Sequence, residues 1–463
     1  MMLYFGLFLS FCCGFFIINM ISTKFSITEK TGLAFPIGMV METIAMLVLD
    51  QIGIGFSPTS LLSVQFLILL TVAIPTVFIR KKELINSLFI SAKNSLTGIN
   101  MVWLIFIGLI FYIECINFQK CIYMPPYDND SLSSFETIGF VSAMEHTYKG
   151  ISLFDKDYIT GIHGPASVIT YAPFIQLSYA YVYTLGAETS KIIPAMMYLS
   201  FLIAFYGVVQ RSTSKTAAAI ATFFVLITPE MMLFSSHSMT NVVHAAFAST
   251  SIIYSFLYIK LYEKKYLYQA GVLSGANIWC RTEGIVFVIA AFAALLIFSV
   301  IRKEYKSAFF FIIIASAPAI GWFIFMKLNN MYAEGIVITQ LFWDAEKIKA
   351  ILHGIGALFV NRTYYGWTFY AFLIMLVANI RHIFMKKERA IFPLIVLCAL
   401  SCYVLFLYHV DYKWDSMQNV LLYSAKRFLF CFVPLAWYYI FTNDVAVFLF
   451  LKLDNLLSLQ KNN

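Results

Sequence analysis

Charged side chains are what this chain has least of. Asp, Glu, Lys and Arg make up 12% of its 463 residues, about half the share of roughly 25% carried by soluble domains. With 61% hydrophobic residues and a mean hydropathy of +0.80, a soluble globular enzyme is excluded. The period-2 alternation of a membrane β-barrel is also lacking, because the Leu/Ile/Phe/Val runs are continuous. The first segment, "LYFGLFLSFCCGFFIINM", has neither a basic start nor a small-residue cleavage site, so it reads as a retained span rather than a signal peptide. No cysteine spacing suits a metal or redox centre. Cys12, Cys13, Cys280, Cys398, Cys402 and Cys431 fall within hydrophobic runs, where a thiol acts as a small apolar group. Cys115 and Cys121 flank the outer end of one span and are a candidate pair. Sparse Ala and Gly beside abundant Lys, Asn, Ile and Phe fit an AT-rich microbe.

What is present are apolar stretches of about 20 residues, each able to cross a hydrocarbon core of about 30 Å. They predict an all-α polytopic membrane protein with about 13 transmembrane helices. The expected spans are 1–20, 32–50, 61–79, 99–118, 189–209, 216–234, 241–260, 266–281, 284–300, 307–327, 363–381, 390–409 and 427–446. The net charge of +8 does not call for nucleic acid. Its basic residues cluster between spans, at Arg80-Lys81-Lys82, Arg211 with Lys215, Lys264-Lys265, Arg302-Lys303 with Lys306, and Arg381 through Arg389. Placed together in the cytoplasm, as the positive-inside rule requires, these clusters alternate correctly only if 166–186 does not cross. That stretch therefore reads as a helix at the outer interface, with Tyr171, Tyr179, Tyr181 and Tyr183 at headgroup level.

The polar loops then share the external side, which is where function is expected. They are 119–165, 235–241, 279–284, 328–362 and 409–419. In the first, "CIYMPPYDNDSLSSFETIGFVSAMEH" breaks the apolar pattern with Pro125-Pro126 and the acids Asp128, Asp130, Glu136 and Glu145; Asp155 and Asp157 follow. The spacing of Leu132, Phe135, Ile138 or Gly139, and Met144 predicts an amphipathic helix. Asp128 and Asp130 precede its first turn, where a carboxylate suits the helix dipole. The alternative is that one of them is a general base, ionised and within reach of an acceptor hydroxyl.

An acidic pair directly after a span, an amphipathic helix, then "HGPASVITYAP" leading into a second interfacial helix resembles the first external loop of the GT-C glycosyltransferases. "TSKTAAAIATFFVLITPEMMLFSSHSMTN" is similar to the family's basic turn, apolar span and second loop; "YLYQAGVLSGANIWCRTEG" is similar to its Gly-rich span ending in a basic residue. The likeness covers about residues 99–327 and is nearest the ArnT-like and protein mannosyltransferase-like branches. It implies a sugar donor carried on polyprenyl phosphate and an acceptor that is a glycan, lipid or protein. No cofactor is required, and a divalent cation is compatible without being demanded. By the same resemblance Asp130 is the expected base, with Asp128 positioning the acceptor or holding a cation. Arg281 is the expected donor-phosphate ligand, seconded by Lys426 and Arg427. His163, His237, Asn241, Glu283 and Arg362 are expected around donor and acceptor. Many relatives carry an Asp where this chain has Asn241, so a two-carboxylate metal site is not implied and the metal stays unassigned.

Each assignment has a plainer counterpart. Arg281 at a span end also suits snorkelling, with Glu283 as its partner. His237 and His244, seven apart, could share a helical face, but two His are a weak metal signal. The aromatics among Trp343 and Trp367 suit interfacial anchoring, and "NRT" at 361–363 is a commonplace sequon. Lys413 is another headgroup-type cation, and Glu42, lone within a span, is expected to face other helices. The expected organisation is a three-span extension (1–98), a GT-C-like module (99–327, with external loop 119–188) and a three-span C-terminal module (328–463, with loop 328–362). The expected setting is a bacterial or archaeal cytoplasmic membrane with the site outside. The rival functions are a lipid-linked glycan polymerase or ligase, which would place basic residues in a late loop, and a transporter or flippase, which would show internal repeats and mid-span charges.

Overall fold

The structure, a computed structural model, describes residues 1–96, 99–154, 171–331, 337–339, 342–385, 387–412 and 416–459. The first four helices are α1 (Met2–Ile21), α2 (Ile27–Gln51), α3 (Pro58–Leu96) and α4 (Met101–Tyr123). After them come two short helices, α5 (Glu136–Met144) and α6 (Phe174–Thr184). The next set is α7 (Ile192–Ser212), α8 (Lys215–Leu226), α9 (Pro229–Phe234), α10 (Asn241–Leu261), α11 (Lys264–Cys280), α12 (Ile285–Arg302) and α13 (Tyr305–Leu328). The last set is α14 (Ala345–Val360), α15 (Arg362–Tyr365), α16 (Thr368–Ala378), α17 (Ile380–Met385), α18 (Lys387–His409), α19 (Met417–Thr442) and α20 (Asp444–Leu459). A two-stranded antiparallel ribbon pairs β1 (Val337–Thr339) with β2 (Val410–Tyr412), Ile338 facing Asp411.

Among the described residues ten helices are long and apolar enough to cross a membrane, and the chain is an integral membrane protein. Three of the expected spans fall short: α8 has 12 residues, α11 has 17 and α16 has 11. The run 216–234 is divided because Pro229, at the first position of α9, has no N–H to continue α8. The last span begins at Met417 rather than near 427, so Lys426 and Arg427 lie inside a helical run and not at its start.

Composition sorts the helices into inner and outer positions. On α3, Leu67, Phe78 and Ile79 are exposed, a uniform apolar face that suits lipid tails. The buried α10 carries Ser249, Thr250 and Ser255 instead, whose hydroxyls donate to carbonyls one turn back, so these three hydroxyls are paired in an apolar setting. α1 and α2 approach until their backbones touch. A Cβ on Gly14 would fall 1.8 Å from the Ala34 carbonyl oxygen, and one on Gly38 1.8 Å from that of Ser10.

The five basic clusters gather at one end of the bundle. Arg80 donates to the Asn19 carbonyl at the end of α1 (3.1 Å). Arg211 pairs with Glu29 at the start of α2, and Lys265 lies over the Phe25 ring. Arg302 lies over Tyr262, while Arg389 pairs with Asp444. Glu29 is fully buried, closes the capping box of α2 with Ser26, and accepts the Tyr254 hydroxyl at 3.1 Å. Removing one partner of such a buried pair strands the other charge, at a cost of about 3–5 kcal/mol. Glu29→Ala is accordingly expected to lower the thermal unfolding midpoint of the purified protein sharply, whereas Glu263→Ala, which removes a carboxylate whose side chain is 46% exposed, is expected to lower it far less.

Three expectations change at the opposite end. α6 is buried in protein rather than lying at headgroup level: Tyr179 and Tyr181 have no exposed surface. Two of its tyrosines donate their hydroxyls within the protein, Tyr181 to Gln65 at 2.9 Å and the half-buried Tyr183 to Glu136, while the Tyr179 hydroxyl has no partner among the described residues. Cys115 is exposed and Cys121 buried on the same helix, so they do not pair. His237 sits before α10 and not on it, which separates it from His244.

Candidate active site

The exit from α4 is held by Lys191, whose Nζ donates to the Met124 carbonyl at 2.7 Å. Pro125 and Pro126 then fix the backbone direction, and the chain re-enters a helix through a π-helical turn at Ser131–Phe135. Such turns are rare and frequent at functional sites. Most of the acids in this loop have structural work. Glu136 accepts the Ser190 hydroxyl at 2.6 Å as well as that of Tyr183. Glu145 accepts the Ser152 N–H at 2.9 Å. Asp50 of α2 anchors the end of the loop by accepting from Thr147 Oγ1 (2.6 Å) and the Lys149 N–H (2.8 Å). Gly139 lets α5 lie directly on α6, since a Cβ there would be 2.6 Å from Tyr179 Cβ. Asp155, Asp157 and His163 lie outside the described residues, as does Lys413.

Asp128 and Asp130 differ in their surroundings. Asp128 caps the π turn, accepting from the Ser131 N–H (2.8 Å) and the Ser131 hydroxyl (2.6 Å). Its carboxylate is 3.8 Å from His237 Nδ1, and the Tyr127 hydroxyl meets His237 Nε2 at 2.6 Å. With the proton on Nδ1, facing the carboxylate, Nε2 accepts from Tyr127. Asp130 makes no capping bond. It is paired with Arg427, its side chain is 44% exposed, and it can therefore be approached from outside.

Burial pushes the His237 imidazole below its ordinary value; the Asp128 carboxylate pulls it up, while Lys120, Lys191 and Arg427 push it down. The folded protein thus resists protonation that the unfolded chain accepts below about pH 6.5. Stability is expected to fall as pH drops through that value, because the unfolded state then binds more protons. Thermal unfolding at pH 7.5 and 5.5 checks this, and His237→Gln is expected to shrink the difference between the two.

The facing wall comes from α11, α12 and α19. Arg281 ends α11 in an extended conformation and donates from Nη2 to Glu283 Oε1 at 3.1 Å. The turn is tight because Gly284 packs on Asn277, whose Nδ2 donates to the Gly284 carbonyl at 3.2 Å. Arg427 follows a second π-helical turn, Val420–Ala425, and donates from Nε to the Tyr423 carbonyl at 3.1 Å. Lys426 pairs with Glu230 at 3.0 Å and lies 4.6 Å from the Tyr364 ring centroid. Tyr171 joins the two halves. Burial pushes its hydroxyl up, Glu283 and Asp130 add to that, and Arg281 and Arg427 oppose it. All four charged groups therefore act on one phenol.

The structure thus brings together Asp128, Asp130, His237, Arg281, Glu283 and Arg427 at the end opposite the basic clusters, with Lys426 beside them. Asn241 is buried at the start of α10, and its Nδ2 has no hydrogen-bond partner among the described residues. His244 belongs to the packing, its Nδ1 3.3 Å from Cys431 Sγ and its ring against Phe428. Arg362 is exposed and stacks on Trp367 at 4.0 Å and Tyr370 at 5.3 Å. Among the described residues no group of three or more His, Cys, Asp or Glu could hold a metal. Sequence reasoning missed Tyr127, Tyr171, Glu230 and Lys191. Lys191 alone had a visible signal, a solitary lysine opening a span on the side without basic clusters.

No curated protein and no solved structure matches the chain. One family model does, over residues 172–322, a stretch that contains His237, Asn241, Arg281 and Glu283: it is the model described as dolichyl-phosphate-mannose-protein mannosyltransferase.

Proposed function

We propose that the protein is a membrane glycosyltransferase that takes a sugar from a polyprenyl-phosphate donor and passes it to an acceptor hydroxyl on the external face. The observation that carries this reading is the pairing of an accessible carboxylate, Asp130, with Arg427, a cation suited to a phosphate, with Arg281 near enough to act on the same Tyr171 hydroxyl. The family match supports the same class of donor. A guanidinium binds phosphate oxygens bidentately and keeps its charge.

In the proposed reaction the donor phosphate draws Arg427 from Asp130, which releases the carboxylate to accept a proton. The acceptor oxygen attacks the anomeric carbon as Asp130 takes the hydroxyl proton. The bond from that carbon to the phosphate oxygen breaks, its electron pair stays on the phosphate, and polyprenyl phosphate leaves. One in-line displacement inverts the anomeric centre. Arg281 stabilises the negative charge gathering on the leaving phosphate, and Glu283 holds Arg281 in place. Asp128 is the weaker candidate for the base, since Ser131 occupies both its oxygens and His237 stands beside it.

The experiment offers membranes containing the protein a radiolabelled sugar on polyprenyl phosphate and, separately, on a nucleotide. Transfer from the lipid donor alone is expected. Transfer from the nucleotide alone, or movement of lipid donor across vesicles without cleavage, rejects the proposal. The second outcome would favour a transporter, for which Glu42, buried within α2 with neither carboxylate oxygen hydrogen-bonded among the described residues, is the supporting feature.

A further inference from the structure

The basic end of the bundle carries a second arrangement that sugar transfer does not use. A cavity of about 240 Å3 lies where α10, α17, α18 and α19 meet the start of α20. Lys260, His382 and Arg389 reach it from three helices, and Phe392 and Tyr438 form apolar walls. Arg389 is fixed by its neighbours, Nε pairing with Asp444 Oδ2 at 2.6 Å and Nη1 lying 3.0 Å from His382 Nδ1. Asp444 is therefore answered by Arg389. Lys260 makes no ion pair among the described residues; its Nζ lies 5.8 Å from the Phe256 ring centroid. The remaining acid, Glu388, is exposed on the rim.

We propose that this cavity binds the phosphodiester headgroup of an anionic phospholipid from the adjoining leaflet. An unpaired ammonium beside the outer edge of a positioned guanidinium offers two charged donors to one phosphate. Basic pockets between transmembrane helices at the cytoplasmic side suit anionic headgroups for this reason. The other basic clusters share this end, so the surrounding surface attracts the same lipids. Phe392 and Tyr438 line the same cavity as the two cations, an apolar flank that free phosphate would not need. A lipid is thus the occupant that uses both the charge and the apolar flank.

Native mass spectrometry of the purified full-length protein with phosphatidylglycerol tests the proposal. Lys260→Gln, at an exposed position that should not disturb folding, is expected to weaken lipid binding about tenfold, the loss of one charge-assisted hydrogen bond. Neither inorganic phosphate at equal concentration nor phosphatidylcholine should displace the bound lipid. Unchanged binding by Lys260→Gln overturns the assignment. Displacement by inorganic phosphate would make it a small-anion site, and equal binding of phosphatidylcholine would remove the charge argument; either result also overturns it.

Discussion

Asp130→Asn is expected to lower the turnover rate of sugar transfer by about 10²–10⁴-fold, the range general-base catalysis contributes. The amide keeps the shape of the carboxylate but cannot accept the acceptor's proton. The same substitution removes the anionic partner of Arg427, leaving that guanidinium free for the donor phosphate. The loss should therefore fall on kcat, with the KM for the lipid donor unchanged or lower, a split that a purely structural role would not produce. Asp128→Asn is expected to act differently. It loosens the cap on Ser131 and the contact with His237, so stability should fall, by about 1 kcal/mol as for other lost caps, with only a modest change in rate. Steady-state kinetics and thermal unfolding on the two variants separate these outcomes.

The second large effect is expected at Arg281. If it stabilises the leaving phosphate, Arg281→Gln should cost about 10²–10³ in rate, as for other single charge-stabilising donors. Lysine should restore only part of that, because an ammonium keeps the charge but not the two-pronged fit. A structural role predicts another pattern: Arg281 and Glu283 hold one turn together, so losing either member would destabilise the protein equally. Comparing Arg281→Gln with Glu283→Gln in both assays distinguishes the roles. A greater rate loss in the arginine variant at equal stability is the expected result.

Much of this geometry was open to sequence reasoning because electrostatics is simple in a chain so poor in charge. Five basic clusters had to share one end, which forced the Asp128–Asp130 loop and Arg281 to the other, and the structure places them so. The tyrosines of α6 were misread for a physical reason. An aromatic residue with a polar tip suits a headgroup layer, but it equally suits a buried position that offers an acceptor, and Gln65 and Glu136 are acceptors from distant parts of the chain. The Arg427–Asp130 pair could not be read at all, since 297 positions separate its members. Arg427 stood at the start of the expected span 427–446, because the polar "DSMQN" hides a helix that starts at Met417 and runs through a π-helical turn. Pro229 lies within the expected span 216–234 and, lacking an N–H, divides it.

The central claim is that Asp130 takes the acceptor's proton, and chemical rescue tests it most directly. Asp130→Ala removes the carboxylate and leaves room for a small one, so added formate should restore a measurable part of the lost transfer without altering donor binding. Transfer by Asp130→Ala at the unaltered rate, with no formate present, would contradict the account.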